Sequence, residues 1–432
     1  MQPTVFIKPT EGDMTDCVRA CFDAFGGVDT IIKKSGKVFL KLNLTMPELS
    51  SITTPEVVLS TIQVIKEADV NPRNIYVFDN SAVGFYTRLP FAVDNLGKRI
   101  RKLGAKTICL DEQKSIDVEF KGKALNKPIP IPKILVENLL ENREESTYIN
   151  LPKLKTHLQT GMTNCIKNQH GLLYDNEKVY NHHLINEKVV EILDRFRPDF
   201  HIVDATTVVD YGQVAIIPEW NISMGLLLSG TDPVAIDTVG AELLGIENVK
   251  HIQLAAERGF GCNNLDQIKI IPTRDLIEQY KMQLHCKSIP LNPSEKIKLI
   301  RGKEKACRTG CLTLGLYFII FTHDTDYGPL IGVIGKGHDT SELDKYSGPF
   351  LVNGPCAISE LKEYFEARKK NEKIKVHYID DHCNLADLAK FVRKCGKIPL
   401  SALSELTPIS MFKMIGLIIW AKLHRARCQF VM

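Results

Sequence analysis

The chain predicts an α/β fold, a mostly parallel sheet with flanking helices plus a smaller C-terminal α/β domain. Short β-rich runs alternate with segments of helical periodicity, the arrangement that builds parallel sheets covered by helices. Polar residues follow the ends of those runs, where such sheets bind ligands. With 432 residues, 44% hydrophobic and 25% charged, the chain has the composition of a globular protein and the length for two or three domains.

Taken in order, Val38-Phe-Leu-Lys-Leu reads as a strand. Thr53 or Thr54 then caps a helix with Pro55 in its first turn and an apolar stripe of Val58, Ile62 and Ile65. Asn74-Ile-Tyr-Val-Phe is the next strand and ends at Asp79-Asn80-Ser81. Thr107-Ile-Cys-Leu, Ser146-Thr-Tyr-Ile-Asn-Leu and His201-Ile-Val-Asp204 repeat the plan. Met224-Gly-Leu-Leu-Leu-Ser229 leads into a helix capped at Thr231 or Asp232 and stopped at Gly245. Ser288-Ile-Pro-Leu-Asn-Pro-Ser-Glu reads as a linker. It separates a main domain (1–290) from a smaller one (296–405), and 406–432 forms an apolar-basic tail helix. In the smaller domain, strands at Ile331–Ile334, Phe350–Val352 and Lys375–Ile379 alternate with helices at Leu312–Phe321, Ile358–Lys369 and Leu385–Lys394.

The densest cluster of potential ligands and proton carriers is Asn150–His183. It holds Lys153, Lys155, His157, Lys167, His170 and the pair His182–His183. Read as a helix over 160–170 with Gly171 as its stop, the segment puts Thr160, Thr163, Asn164 and Lys167 on one face. One lysine among hydroxyls and an amide suits an anionic or carbonyl ligand. The bland alternative is a surface lysine with polar neighbours. Asn43, Asp79, Asn80, Ser81, His157, Asp204 and Asp232 fall at strand ends and would meet in one crevice. For Asp79, Asp204 and Asp232, capping and turn formation compete with a site role.

These motifs carry a resemblance. Lys41-Leu-Asn43, Thr53-Thr54-Pro55-Glu56, Phe78-Asp79-Asn80-Ser81, the lysine–histidine block, Ile202-Val203-Asp204, Ser229-Gly-Thr-Asp232-Pro233-Val-Ala-Ile-Asp237 and Gly259-Phe-Gly261 resemble the domain-of-unknown-function 362 family over about residues 35–262. Many members carry an iron–sulfur label from an attached ferredoxin-like segment. This chain lacks the Cys-x-x-Cys-x-x-Cys run of such a segment. The His157–Lys167–His183 spacing is also similar to that of the nickel-pincer lactate racemase family. That likeness implies His157 as proton carrier, Lys167 as covalent cofactor anchor and His183 as nickel ligand.

Cys356 and Cys383 each stand just past a strand at the start of a helix, where the dipole favours thiolate. With Cys307 and Cys311 they offer four thiols for zinc or an iron–sulfur cluster, against the alternative of half-buried turn residues. Net charge is +4, and the tail alone supplies that excess through Lys413, Lys422, Arg425 and Arg427 after the last acid, Glu405. A neutral body argues against nucleic-acid binding. Twelve unframed cysteines and an opening Met1-Gln-Pro-Thr without a secretory leader point to a reducing cytoplasm. No apolar run is long enough to span a membrane. The tail is expected to dock on the body, pair with a second copy or touch a membrane surface.

The sequence therefore predicts a cytoplasmic metal- or metallocofactor-dependent enzyme of racemase-like or oxidoreductase type, acting on a small hydroxy-acid-like substrate. His157, Lys167 and Asp79 are the catalytic candidates. Lys167, Asn43, Thr163, Asn164 and Lys155 would bind the cofactor, a divalent metal such as nickel in an organic group. His183 and His182 would ligate it. The alternative is an iron–sulfur or thiolate-metal redox protein using Cys307, Cys311, Cys356 and Cys383, with a redox partner protein.

Overall fold

A computed structural model describes residues 2–212, 218–285, 296–307, 311, 328–380, 387–388, 390–391, 394 and 408–429. The chain forms two units, Met1–Cys286 with Thr407–Cys428, and Lys287–Leu406 with Gln429–Met432.

In the first unit the strands β1 (Thr4–Pro9), β2 (Lys37–Lys41), β3 (Ile75–Asp79) and β4 (Lys106–Cys109) precede a hairpin of β5 (Ser115–Glu119) and β6 (Pro128–Pro132). Then come β7 (Ser146–Asn150), the small hairpin β8 (Lys155–His157) and β9 (Gly161–Thr163), and the long strands β10 (Phe200–Val209) and β11 (Asn221–Gly230), followed by β12 (Lys269–Ile271). The main sheet has eight strands in the order β12-β1-β11-β10-β7-β2-β3-β4. The run β10-β7-β2-β3-β4 is parallel throughout. β11 is antiparallel to both neighbours, with Phe6 opposite Ser229 and Val203 opposite Leu228.

β2 and β7 bury nearly every residue, as strands do when both faces of a parallel sheet are covered. That burial defines a core in which Phe39 stacks on Tyr76 at 5.1 Å and meets Phe78 at 6.1 Å. The helix Pro55–Glu67 covers the sheet, buries Val58, Ile62 and Ile65, and carries Pro55 in its first turn. Thr54 does not cap it through its side chain. The helix Pro233–Leu244 is capped by Asp232, whose Oδ1 accepts from Val234 N and Ala235 N at 2.9 Å, and it ends at Gly245 with φ 66°.

The 160–170 helix is not formed. Gly161 turns the chain at φ 85°, and β9 pairs with β8, setting Lys155 opposite Thr163 and His157 opposite Gly161. A helix of four residues follows, Cys165–Asn168, and then a 3-10 turn, Gln169–Leu172. The short helix starts there because Asp237, on the helix Pro233–Leu244, accepts from Cys165 N at 2.8 Å and Ile166 N at 3.1 Å. That cap comes from a residue 72 positions away, so local periodicity does not reveal it.

The second unit holds a parallel sheet in the order β13 (Ile297–Arg301), β14 (Leu330–Ile334), β15 (Phe350–Asn353), β16 (Val376–Ile379). β13 was not expected from the sequence pattern. The helix Pro355–Asn371 packs Ala357, Leu361 and Phe365 onto Ile331, Val333, Phe350 and Val352. The apolar segment Leu312–Phe321 and Cys383 lie outside the described residues. The tail forms the helix Met411–Leu423 and belongs to the first unit.

Candidate active site

The parallel run of the main sheet places Lys41, Asp79 and Asn150 at the carboxyl ends of three adjacent strands, the usual position for a ligand crevice. Lys41 donates to Asp79 Oδ1 and to Leu42 O at 2.9 Å, both side chains being fully buried. Asp79 Oδ1 also accepts from Asn80 N at 2.7 Å, and Oδ2 accepts from Leu44 N at 2.5 Å. Gly171 lies directly over this pair. A Cβ there would clash with Asp79 Oδ1 and sit 2.7 Å from Lys41 Nζ. Close approach to an ion pair explains this glycine, in place of the helix stop expected.

A chain of amides ties the strand ends to the lysine–histidine block. Asn168 Nδ2 donates to Asn150 Oδ1 at 2.8 Å, Asn43 Nδ2 donates to Asn168 Oδ1 at 2.9 Å, and Lys155 Nζ donates to Asn43 Oδ1 at 2.9 Å. Lys155 completes its three donors with Thr45 Oγ1 at 3.1 Å and Ser51 O at 3.2 Å. It has hydrogen bonds but no carboxylate. Burial and the nearby Lys153 and Lys167 bring it down to about 7. Lys153 differs, donating to Asp204 Oδ2 at 2.9 Å in a pair buried from solvent.

Lys167 stands alone. It is half-buried and has no hydrogen-bond or ion-pair partner among the described residues. Burial, reinforced by the charges of Lys178 and Lys41, lowers it to about 7. Lys178 is satisfied by Ser81 O, by Asn80 O at 3.2 Å and by Asp175 at 3.6 Å. Lys188 donates to Glu177 O and Lys178 O at 3.0 Å, and to Tyr180 O. These strand ends and the adjoining block are therefore rich in cations, and the carboxylates among them pair with Lys41, Lys153 and Lys178.

The histidines divide by what their nitrogens meet. His157 Nδ1 accepts from Gln159 N at 3.2 Å and Thr160 N at 3.3 Å. A ring whose Nδ1 is an acceptor carries its proton on Nε2. Burial, with Lys167 and His182 nearby, holds it well below the ordinary histidine value, so it is neutral at pH 7. It therefore offers an N–H donor, and its free nitrogen is not open to accept a proton. His170 is also held well below the ordinary value by burial and by Lys167, and its buried Nε2 has no partner. His182 turns inward, 6.2 Å from the His170 ring, with Nδ1 3.2 Å from Gln159 Nε2, and burial brings it to about 3. His183 is exposed. The inward imidazole is thus His182, and the 157–167–183 spacing does not describe a converging triad.

Thr163 keeps a buried Oγ1 without a partner. Asn164 faces the neighbouring helix. Its Nδ2 is 3.5 Å from Ile236 O, and a Cβ on Gly240 would stand 2.7 Å from the same atom. It is a packing residue, and it left the predicted polar face when the long helix failed to form. Lys41, Lys178, Lys188 and Asp237 are not singled out for the site by the sequence. Lys41 had a readable signal, a lysine inside an otherwise apolar strand. In the second unit, Cys307 and Cys311 have their sulfurs 4.0 Å apart, and Cys356 is half-buried at the start of the helix Pro355–Asn371. No group of three or more His, Cys, Asp or Glu side chains among the described residues is arranged to hold a metal ion.

Residues 38–242 match the family described as Domain of unknown function (DUF362). Over 264 residues the chain is 27% identical to a thylakoid-associated protein of Synechocystis sp., covering 58% of this chain and 76% of that relative. Among solved structures it is similar to the lactate racemase apoprotein from Thermoanaerobacterium thermosaccharolyticum, with a TM-score of 0.36 and 12% identity, covering 90% of this chain and 86% of that one. No helix among the described residues is long and apolar enough to cross a membrane.

Proposed function

We propose that the crevice of this family-362 domain is an enzyme active site for a small oxygenated anion, a hydroxy-acid-type carboxylate or a phosphate, with Lys167 as the group that meets it. The observation that carries this reading is a half-buried lysine without a hydrogen-bond or ion-pair partner among the described residues, set among other cations. An unpaired buried charge is costly, and a ligand's negative charge removes that cost. At about 7, Lys167 is poised between amine and ammonium near neutral pH. It both holds an anion and exchanges a proton. His157 donates its Nε2–H to a ligand oxygen and orients it. The Lys41–Asp79 pair and the Asn43–Asn168–Asn150 chain fix the floor on which the ligand rests.

An organic cofactor with an acidic group fits Lys167 on the same physical grounds. A nickel ion ligated by His183 does not fit, because that ring is exposed. His182 and His170 are the two imidazoles brought together, their rings 6.2 Å apart. When bound, such a cofactor would supply electron-transfer chemistry that lysine and imidazole lack. The residues described here bind it, orient the substrate and hold protons.

The test is titration calorimetry with lactate, pyruvate and inorganic phosphate on the full chain and on Lys167→Met, with an intact mass of the freshly purified protein. Binding of one of these anions, or a mass adduct, that disappears in Lys167→Met is expected. Equal binding by both proteins, or no binding and no adduct in either, sinks the reading.

The 4.0 Å sulfur separation of Cys307 and Cys311 favours a second reading for the other unit. Two thiolates on one tetrahedral zinc ion sit about 3.8 Å apart, given Zn–S bonds of about 2.3 Å. Zinc or iron content that falls in Cys307→Ser but not in Lys167→Met supports a thiolate-metal or iron–sulfur role there. Unchanged metal content in Cys307→Ser removes it.

A further inference from the structure

The tail helix Met411–Leu423 turns two different faces inward and outward. Met414 and Ala421 are buried against the first unit, and Lys413 Nζ is held by Asn95 Oδ1 at 3.0 Å and Ala92 O at 3.3 Å. At 3.6 residues per turn, Phe412, Ile415, Ile419 and Leu423 share the opposite stripe, with Trp420 beside them. All five are exposed, at 91%, 42%, 55%, 72% and 52% respectively. Lys413 and Lys422 fall on the two edges of that stripe, and exposed Arg425 follows it. No acidic residue stands anywhere after Glu405.

A contiguous apolar stripe of this kind marks an interaction surface. Its occupant is identified by charge. Two copies meeting through this face would bring lysine edges together with no acid on the helix to answer them. An anionic lipid surface answers this cationic rim, taking the apolar stripe into the headgroup boundary while the exposed Lys422 and Arg425 reach phosphates. The helix has 13 residues. It is therefore about 20 Å long, against about 30 Å of bilayer core, so it lies on a membrane and does not span one. We infer that the tail helix is a peripheral anchor that docks the first unit on an anionic bilayer surface. This stands independently of the crevice chemistry.

Flotation of the full chain with vesicles tests it. One set is phosphatidylcholine, and the other is phosphatidylcholine mixed with phosphatidylglycerol. The wild type is expected to float with the mixed vesicles and to partition at least about tenfold less onto the neutral ones. Phe412→Asp with Ile419→Asp is expected to lower binding to the mixed vesicles by at least about tenfold. Both side chains point to solvent, so an unchanged melting temperature keeps this comparison clean. Trp420→Phe keeps the fold and the binding, and it removes a blue-shifted emission that the wild type gains on the vesicles. A wild type that stays at the bottom of the gradient overturns the proposal. So does a doubly substituted chain that floats equally well, or a dimer that the double substitution splits without any vesicle binding.

Discussion

At the residue scale, Lys167 concentrates the physical argument. Its ordinary value of 10.5 falls to about 7 on folding, with burial the leading cause. Between those values the unfolded chain binds more protons than the folded one, so stability rises with pH across that window. Lys155 follows the same rule, from 10.5 to about 7. Lys167→Met keeps the length of the side chain and removes the charge. It is expected to be more stable than the wild type at pH 7 and to flatten the rise between pH 7 and 10, as read from urea midpoints at each pH. A steeper rise, or a loss of stability at pH 7, contradicts this. Anion binding works in the opposite sense. It favours the ammonium, so affinity falls as pH climbs above about 7, by up to tenfold per unit. Calorimetry in buffers of different ionisation enthalpy then shows proton uptake on binding. The sequence made Lys167 readable, because its polar surroundings are local. It did not make the His157 tautomer readable, because two backbone N–H groups from a turn decide it.

The elements show why half of the site was legible and half was not. Strand ends are marked in the sequence by a switch from apolar to polar residues, and Asn43, Asp79 and Asn150 follow that rule. Local periodicity does not predict the segment 160–170, because its short helix depends on a cap delivered from the helix Pro233–Leu244. Asp237→Ala leaves the N–H groups of Cys165 and Ile166 unmet and should cost about 2 kcal/mol, measured by denaturant unfolding. A loss below about 0.5 kcal/mol shows that the cap does not hold the segment. Gly171 offers a second check on the same segment. Gly171→Ala drives a methyl into the Lys41–Asp79 pair, an overpacking cost of about 1–3 kcal/mol. On the proposed reading the pair underlies the anion, so this substitution should also weaken anion binding by more than the same change at exposed Gly416. Equal effects at the two glycines contradict the placement.

For the whole molecule, two separate cores predict two calorimetric transitions. The tail belongs to the first unit through Arg427, whose N donates to Asp111 O at 2.7 Å and whose guanidinium lies 4.7 Å from the centre of the Tyr174 ring. Deleting residues 408–429 should lower only the transition of the first unit, by several degrees (about 2–4 °C per kcal/mol lost). A shift confined to the other transition argues against that docking. The alternation of strands and helices made the α/β class legible. The reversed strand β11 was not, since an apolar run carries no record of its direction. The strand β13 follows Pro-rich linker sequence and was hidden by it.

That reversed strand has a consequence for how the protein is made. β1 is made before every other strand of the sheet, yet its partner on one side is β11, with Phe6 opposite Ser229 and so 229 − 6 = 223 positions later. On its other side it meets β12, whose Lys269 pairs with Thr4. At synthesis rates of about 5–20 residues per second, the first strand waits roughly 10–45 s for a neighbour. During that interval β2, β3, β4 and β7, which are neighbours in the finished sheet, have all been made. The nascent chain is thus expected to hold four neighbouring strands while β1 still lacks both of its partners, a state that invites chaperone capture. Circular permutation that moves residues 2–12 to follow residue 285 would shorten the wait and reduce aggregation during expression.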